Sequence, residues 1–344
     1  MGFSGYPEYT QSTSGFVPAA AAAAAAAQEF TTWSRRRATR SGRRQHPQTL
    51  YQGDNMTTSA PINDNAERTI LITGTSTGIG LATAVAAARA GWRTVATMRD
   101  PDKAGALRSA ADAVGVTVDV RALDVTNPDS ITTCVEAVVA DLGHLDAVLN
   151  NAGAAHVGTI ETDDLTAVRA CLEVNFFGVV QLTQAVLPHL RAARGRLVTV
   201  TSVGGVVGQP FNEAYCAAKF AVEGFMESLG PVAATTGVGV SVVEPGAVAS
   251  EFITNARLDP EALLGAAGPY ADALRAYLTR VTTQFAGNAQ PASDVADIIV
   301  ALLAAEEPPF RVQTSDWARQ FVATKLTDVD GAAVQALTTP WVTS

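Results

Sequence analysis

Eighteen residues, Ser202-Val-Gly-Gly-Val-Val-Gly-Gln-Pro-Phe-Asn-Glu-Ala-Tyr215-Cys-Ala-Ala-Lys219, hold the side chains best suited to proton chemistry. Tyr215 and Lys219 stand four apart, one above the other on the same face of a helix. An ammonium beside a phenol favours the phenolate, so the pair predicts a Tyr215 pKa drawn down from about 10 towards the working range. A tyrosine tuned that way gives a proton to a ketone oxygen or takes one from an alcohol. Ser202 follows the run Gly195 to Thr201, whose apolar and β-branched residues predict a buried parallel strand. Ser202 then sits at the carboxyl end of that strand, where open α/β sheets bind ligands. Tyr-x-x-x-Lys alone also describes an ordinary helix face, so the reading needs a cofactor site elsewhere in the chain.

Such a site precedes it. Residues 68–73 form a short β-branched run, followed by Gly74-Thr-Ser-Thr77-Gly78-Ile79-Gly80 and an Ala-rich helix through about Ala90. Glycines in a turn between strand and helix let a phosphate approach the backbone, and the helix amino-terminus adds free N–H groups and positive dipole. The next strand, Arg93 to Met98, ends in Met98-Arg99-Asp100. An acid closing this strand would pair with the ribose 2′-hydroxyl of NAD, but Met98 stands there and Arg99 follows. An arginine suits a 2′-phosphate, with the Thr77 hydroxyl nearby, and Asp100 before Pro101 reads as a helix N-cap. The expected cofactor is therefore NADP(H), with NAD(H) as the minority reading.

Strand and helix alternate onward. A strand from Thr117 to Leu123 ends at Asp124-Val125, with Asp124 placed to accept from an adenine amino group. A helix runs to about Leu142, and a fourth strand, Asp146 to Leu149, ends in Asn150-Asn151-Ala152-Gly153, where small residues allow close passage of a cofactor. One long amphipathic helix is predicted from Asp164 to Leu190, carrying Asn175. Beyond the Ser202–Lys219 stretch the helix continues to about Ala234. The strand Val238 to Glu244 then ends in Pro245-Gly246-Ala247-Val248, whose backbone groups can meet a nicotinamide amide. Residues 250–290 break the rhythm with helical patches at Pro260–Leu264 and Tyr270–Phe285, the place for a substrate lid. A helix at Asp294–Ala304, a short strand at Phe310–Gln313 and an amphipathic helical end complete the chain.

Composition agrees with one large α/β domain. The chain has 344 residues, 47% hydrophobic and 17% charged, which fits a globular protein with a large core. Cys134, Cys171 and Cys216 lack metal-ligand spacing, so no metal and no disulfide framework are expected, and a reducing, cytoplasmic setting is. Residues 1–66 differ from the rest. Nine consecutive alanines (Ala19–Ala27) precede six arginines, giving residues 1–55 a net charge of about +3 against −12 for the remainder. Basic residues after the apolar run do not fit a secretory signal, and the run is too short to span a membrane. A transit peptide and a nucleic-acid-binding arm remain as alternatives, the latter poor in aromatic interleaving, so no nucleic-acid partner is expected. The favoured reading is a disordered, inert extension, with Met56 as a natural start and residues 67–344 as the catalytic domain.

With these residues assembled, the chain from about Thr69 onward resembles the short-chain dehydrogenase/reductase family. The matching pieces are Thr73-Gly74-x-x-x-Gly78-Ile79-Gly80, Asp124, Asn150-Asn151-Ala152-Gly153, Asn175, Ser202, Tyr215-x-x-x-Lys219 and Pro245-Gly246. Phe211-Asn-Glu-Ala-Tyr-Cys-Ala-Ala-Lys-Phe-Ala-Val-Glu-Gly224, Thr97-Met98-Arg99-Asp100 and Arg311 to Ser315 look closer still to its 17β-hydroxysteroid dehydrogenase and retinol dehydrogenase 8 branch. The resemblance implies a doubly wound Rossmann-type sheet, Tyr215 as general acid/base, Lys219 lowering its pKa and holding the nicotinamide ribose, Ser202 on the substrate oxygen, and Asn175 holding a water that relays protons to Lys219. It also implies NADP(H), a homodimer or homotetramer, and a carbonyl or alcohol substrate of hydrophobic character. Steroid-oxidising members use a histidine in the substrate loop, whereas this chain has none after His189. His156 is read as a surface residue rather than a pocket wall. A non-catalytic nucleotide sensor is the competing class, though such proteins usually lose the tyrosine or lysine kept here.

Overall fold

A computed structural model describes residues 67–249, 259–328, 336–337 and 339–341. The expected extension at 1–66 and the start of the lid, 250–258, lie outside the described residues. Nine strands are described: β1 (Thr69–Thr73), β2 (Arg93–Met98), β3 (Asp119–Ala122), β4 (Ala147–Asn150), β5 (Arg196–Val200), β6 (Gly239–Glu244), β7 (Val248–Ala249), β8 (Gln290–Pro291) and β9 (Arg311–Gln313). Seven form one parallel sheet in the order β3-β2-β1-β4-β5-β6-β9. The chain runs outward from β1 in both directions, so a crevice opens at the carboxyl ends of β1 and β4.

Covering both faces is what lets these strands be apolar throughout. In β1, Leu71 points into one core while Ile70 and Ile72 point into the other, as a period of two requires. The first core is filled from α3 (Pro128–Leu142), α5 (Gly178–Ala193) and α6 (Glu213–Ala234) by Ile131, Val135, Leu182, Val186, Val222 and Met226. The second takes Ala84 and Ala87 from α1 (Gly78–Arg89), Leu107 from α2 (Gly105–Asp112), and Val295 and Ile299 from α9 (Ala292–Ala304). A third cluster lies near the carboxyl end of the sheet. There Val203, Val207 and Phe211 meet Leu274 and Tyr277 of α8 (Ala271–Asn288) and Phe321 of α10 (Asp316–Leu326), with Leu263 and Leu264 of α7 (Pro260–Ala266) against them.

The expected elements are present with three differences. The single helix expected over Asp164–Leu190 is α4 (Leu165–Leu172), a π turn at Glu173–Phe177, and α5. In the π turn the Gly178 N–H reaches back five residues to Glu173 O, and the Asn175 amide donates to Cys171 O at 2.9 Å. A side chain offering the backbone another partner loosens the regular ladder. Second, β7 and β8 form a two-stranded parallel sheet, Val248 beside Gln290, where only helical lid was expected. Third, β3 and β9 are shorter than the apolar runs that announce them. By length and composition Leu165–Ala193 is apolar enough to cross a membrane. Here its Leu182, Val186 and Leu190 are fully buried in the first core.

Candidate active site

The loop after β1 is built on glycines whose backbone angles and close contacts disfavour any side chain. Gly74 and Gly78 take φ of +71° and +59°, the left-handed region open to glycine. A Cβ on Gly80 would lie 2.3 Å from Gly74 O and 2.4 Å from Asn151 Nδ2. Asn151 itself braces the loop, its amide donating to Thr73 O at 2.8 Å and Gly74 O at 3.1 Å. Thr73 Oγ1 accepts from the Asn151 and Ala152 N–H groups, both at 3.0 Å, tying β1 to the turn after β4. Thr77 is the N-cap residue of α1 in extended conformation, and Ile79 is half-buried against the second core. Because the Gly80 clash is with backbone, Gly80→Ala should lose about 1–3 kcal/mol of stability, read as a drop in Tm of several degrees.

The proton-bearing groups converge beside this loop. Ser202 Oγ accepts from Gly204 N at 2.9 Å and shares a hydrogen bond with Tyr215. Lys219, 4% exposed, donates to Val200 O at 3.1 Å, its Nζ 5.8 Å from the centre of the Tyr215 ring. A Cβ on exposed Gly153 would lie 3.0 Å from Asn175 Oδ1 and 3.8 Å from Lys219 Nζ, so the amide and the ammonium flank that glycine. The Asn175 amide is committed to Ala154 O (2.9 Å) and Cys171 O, and its Oδ1 to Ala154 N (3.2 Å). A water at this side chain is left with the second Oδ1 lone pair.

The expected fall in the Tyr215 pKa is not what the geometry produces. Burial pushes the Tyr215 hydroxyl above its ordinary value, opposed by the hydrogen bond with Ser202. Lys219 is drawn down to about 8, first by burial, against the thiol of Cys171 and the carboxylate of Glu223. Desolvation disfavours the charged form of both groups at once and is the largest cause of each shift. The sequence places the ammonium beside the phenol but carries no measure of how dry the site is.

The other expected cofactor residues fall around the same crevice. Met98 is buried at the end of β2, Arg99 is exposed, and Asp100 caps its own turn, accepting from Asp102 N at 3.1 Å and pairing with Lys103 at 3.5 Å. Asp124 holds the N–H (3.0 Å) and hydroxyl (2.8 Å) of Thr126, while Val125 packs into the first core against Gly178. Pro245 O accepts from Val203 N at 3.0 Å, and a Cβ on Gly246 would lie 2.9 Å from the Trp317 ring. Val248 belongs to β7. His156 is not the surface residue expected. Its side chain is 13% exposed and faces Asp163 at 3.5 Å, under a loop where Gly158 leaves room for that carboxylate. Sequence reasoning also missed Trp317, stacked on Phe321 at 5.0 Å, and Tyr277, bonded to the Asn212 side chain just ahead of α6. Both are aromatic residues in segments without motif spacing, and only the long-range packing brings them here.

Comparison with known proteins agrees with this architecture. A family model described as short chain dehydrogenase matches residues 68–261. The chain is 39% identical to retinol dehydrogenase 8 of Bos taurus over 277 residues, covering 78% of this chain and 88% of the relative. It is 36% identical to estradiol 17-beta-dehydrogenase 1 of Rattus norvegicus over 249 residues, covering 70% and 72% respectively. Among solved structures, a metagenomic short-chain oxidoreductase in complex with NADP aligns with a TM-score of 0.57 at 25% identity, covering 72% of this chain and 96% of that one. The chain belongs to the short-chain dehydrogenase/reductase family of oxidoreductases, on the branch of retinol dehydrogenase 8 and 17-beta-hydroxysteroid dehydrogenase type 1.

Proposed function

We propose that the protein is an NADP(H)-dependent oxidoreductase that interconverts a ketone or aldehyde and an alcohol, with Tyr215 as general acid/base. The observation that carries this reading is the meeting of Ser202, Tyr215, Lys219 and Asn175 around Gly153 and Gly204, at the carboxyl ends of β4 and β5. The residues fit a nicotinamide dinucleotide. Left-handed glycines and the amino-terminus of α1 offer N–H groups to a pyrophosphate. Among the described residues Lys219 makes one hydrogen bond, to Val200 O, which leaves buried ammonium protons for ribose hydroxyls. When bound, the nicotinamide supplies or accepts the hydride.

This chain's own groups handle the proton. Burial keeps the Tyr215 hydroxyl protonated, the form that donates to a carbonyl oxygen during reduction. Ser202 Oγ, already hydrogen-bonded to Tyr215, is placed to hold the same oxygen. In the oxidising direction the charge on Lys219 favours loss of the Tyr215 proton. Asn175 fixes the Gly153–Ala154 turn against Lys219. A substrate of hydrophobic character follows from the likeness to retinol dehydrogenase 8 and estradiol 17-beta-dehydrogenase 1. The same reading includes a cytoplasmic homodimer or homotetramer through α5 and α6, near which Phe177 and Phe220 stand exposed.

Preference for NADP(H) rests on Met98, Arg99 and an Asp100 turned to its own cap. Arg99→Ala should weaken NADPH binding by roughly tenfold or more, the scale of a lost charge-assisted phosphate contact, and leave NADH binding unchanged. Fluorescence titration with both cofactors measures this, and equal losses for both would refute the phosphate role. The activity itself is tested by NADPH oxidation across retinoid, steroid and long-chain carbonyls. Tight NADPH binding with no turnover across that panel would favour a nucleotide sensor instead.

A further inference from the structure

Behind the reacting groups lies a buried carboxylate cluster that the proposed chemistry does not use directly. Glu223 stands one turn beyond Lys219 on α6, so Tyr215, Lys219 and Glu223 share a face at intervals of four. Glu223 is 5% exposed and Glu244, the last residue of β6, is fully buried. One guanidinium serves both. Arg311 of β9 reaches Glu223 Oε2 through Nε (3.2 Å) and Nη2 (3.0 Å), Glu227 Oε2 through Nη2 (3.0 Å), and Glu244 Oε1 at 2.7 Å. Gln313 donates to Glu244 Oε2 at 2.9 Å. The other Glu223 oxygen accepts from Thr201 Oγ1, whose backbone N–H also bonds Val243 O at 2.8 Å.

Thr201 is the residue between the two groups that matter. On one side is Val200, whose carbonyl receives the Lys219 ammonium, and on the other is Ser202. The path Arg311–Glu223–Thr201 therefore joins the end of β5, the end of β6 just before Pro245-Gly246, and the helix of Tyr215 and Lys219. We propose that Glu223 and Arg311 are positioning residues of this active site, holding Thr201 so that Val200 O meets Lys219 and Ser202 meets Tyr215. The proposal rests on the dehydrogenase reading above. Glu223 acts on Lys219 in a second way, because its negative charge favours the ammonium. The groups facing Lys219 are then Tyr215 and Glu223 from α6 and the Cys171 thiol from α4. Burial raises Glu223 itself, against its bonds to Thr201 and Arg311, and raises Glu244 to about 7.

Three lysines in the whole chain, Lys103, Lys219 and Lys325, make a direct test practical. In full-length protein carrying ¹³Cε-lysine and no added cofactor, NMR titration reports the Lys219 midpoint without any assay of turnover. Wild type should titrate near 8, and Glu223→Gln, which keeps an acceptor for Thr201, should titrate lower. In turnover, the alkaline limb of the kcat profile of Glu223→Gln should also move down in pH. Arg311→Met should lower kcat by roughly tenfold, the scale of a lost buried charge-assisted contact, with KM for the carbonyl little changed. Arg311→Lys, which keeps the charge without the fork, should recover part of that loss. A Lys219 midpoint unmoved in Glu223→Gln, together with native kcat in Arg311→Met, would overturn the proposal. If either variant fails to fold, the other and Arg311→Lys still decide it. Absence of turnover in wild type would count against the dehydrogenase reading alone, since the NMR midpoint is read independently.

Discussion

Tyr215→Phe should lower turnover of a carbonyl substrate by roughly 10²–10⁴-fold, the usual worth of a positioned general acid, while cofactor binding is preserved. The substitution removes one oxygen and leaves the ring in place, with Lys219 Nζ still lying 5.8 Å from its centre and still bonded to Val200 O. Ser202 keeps its bond from Gly204 N, so the loop that carries it is not released. Equal losses in kcat and kcat/KM, with an unchanged NADPH titration, would mark an interaction made in the transition state. Full turnover in the variant would remove Tyr215 from the chemistry. A large loss of NADPH affinity would instead make the hydroxyl part of the cofactor's seat.

The second large effect has two opposite parts. Lys219→Met should abolish turnover and at the same time make the protein more stable near pH 7. A buried ammonium with one neutral acceptor is held at a cost, visible in its fall from 10.5 to about 8. Methionine of similar length removes that cost but leaves Val200 O without its donor, for a net gain of about 1–2 kcal/mol. The pH dependence identifies the source. Between about pH 8 and 10.5 the unfolded chain binds the Lys219 proton and the folded chain does not, so this group makes stability rise with pH there. Tyr277, raised to about 12, and Cys134 and Cys216, raised to about 11 by burial, act in the opposite sense above their unfolded values. They are common to both proteins, so the advantage of the variant over wild type should shrink steadily above pH 8. Denaturant melts at pH 7, 8, 9 and 10 measure it, and a constant difference would assign the effect to packing.

Which features were legible in the sequence follows from how local their causes are. The strands around the site carry β-branched runs, and Gly74, Gly78 and Gly80 stand where strand passes to helix, so each declares itself within a few residues. Ser202 at a strand end and Tyr215 with Lys219 on one helix face were readable from local pattern, whereas their meeting was implied by the family resemblance alone. Asp100 as a cap was readable from the proline after it. The direction of the Tyr215 shift was not, because it depends on how much protein surrounds the hydroxyl rather than on its neighbour four residues on. The His156–Asp163 pair, the β7–β8 sheet and the Arg311 cluster were illegible for a related reason. Glu223 and Arg311 are 88 residues apart, and nothing local distinguishes a glutamate on this helix from one facing solvent.

The π turn at Glu173–Phe177 gives the helix that contains it two phases. Each residue of an α-helix advances the side chains by about 100° around the axis, so a turn that takes in one surplus residue rotates everything after it by that angle relative to what precedes it. Upstream, the phase is set by Asn175 reaching Ala154 and Cys171. Downstream, it is set by Leu182, Val186 and Leu190 in the core, with Gly178 close against Val125. An unbroken helix of the same length satisfies one of these sets and turns the other aside. The surplus residue therefore works as an angular offset between chemistry and packing.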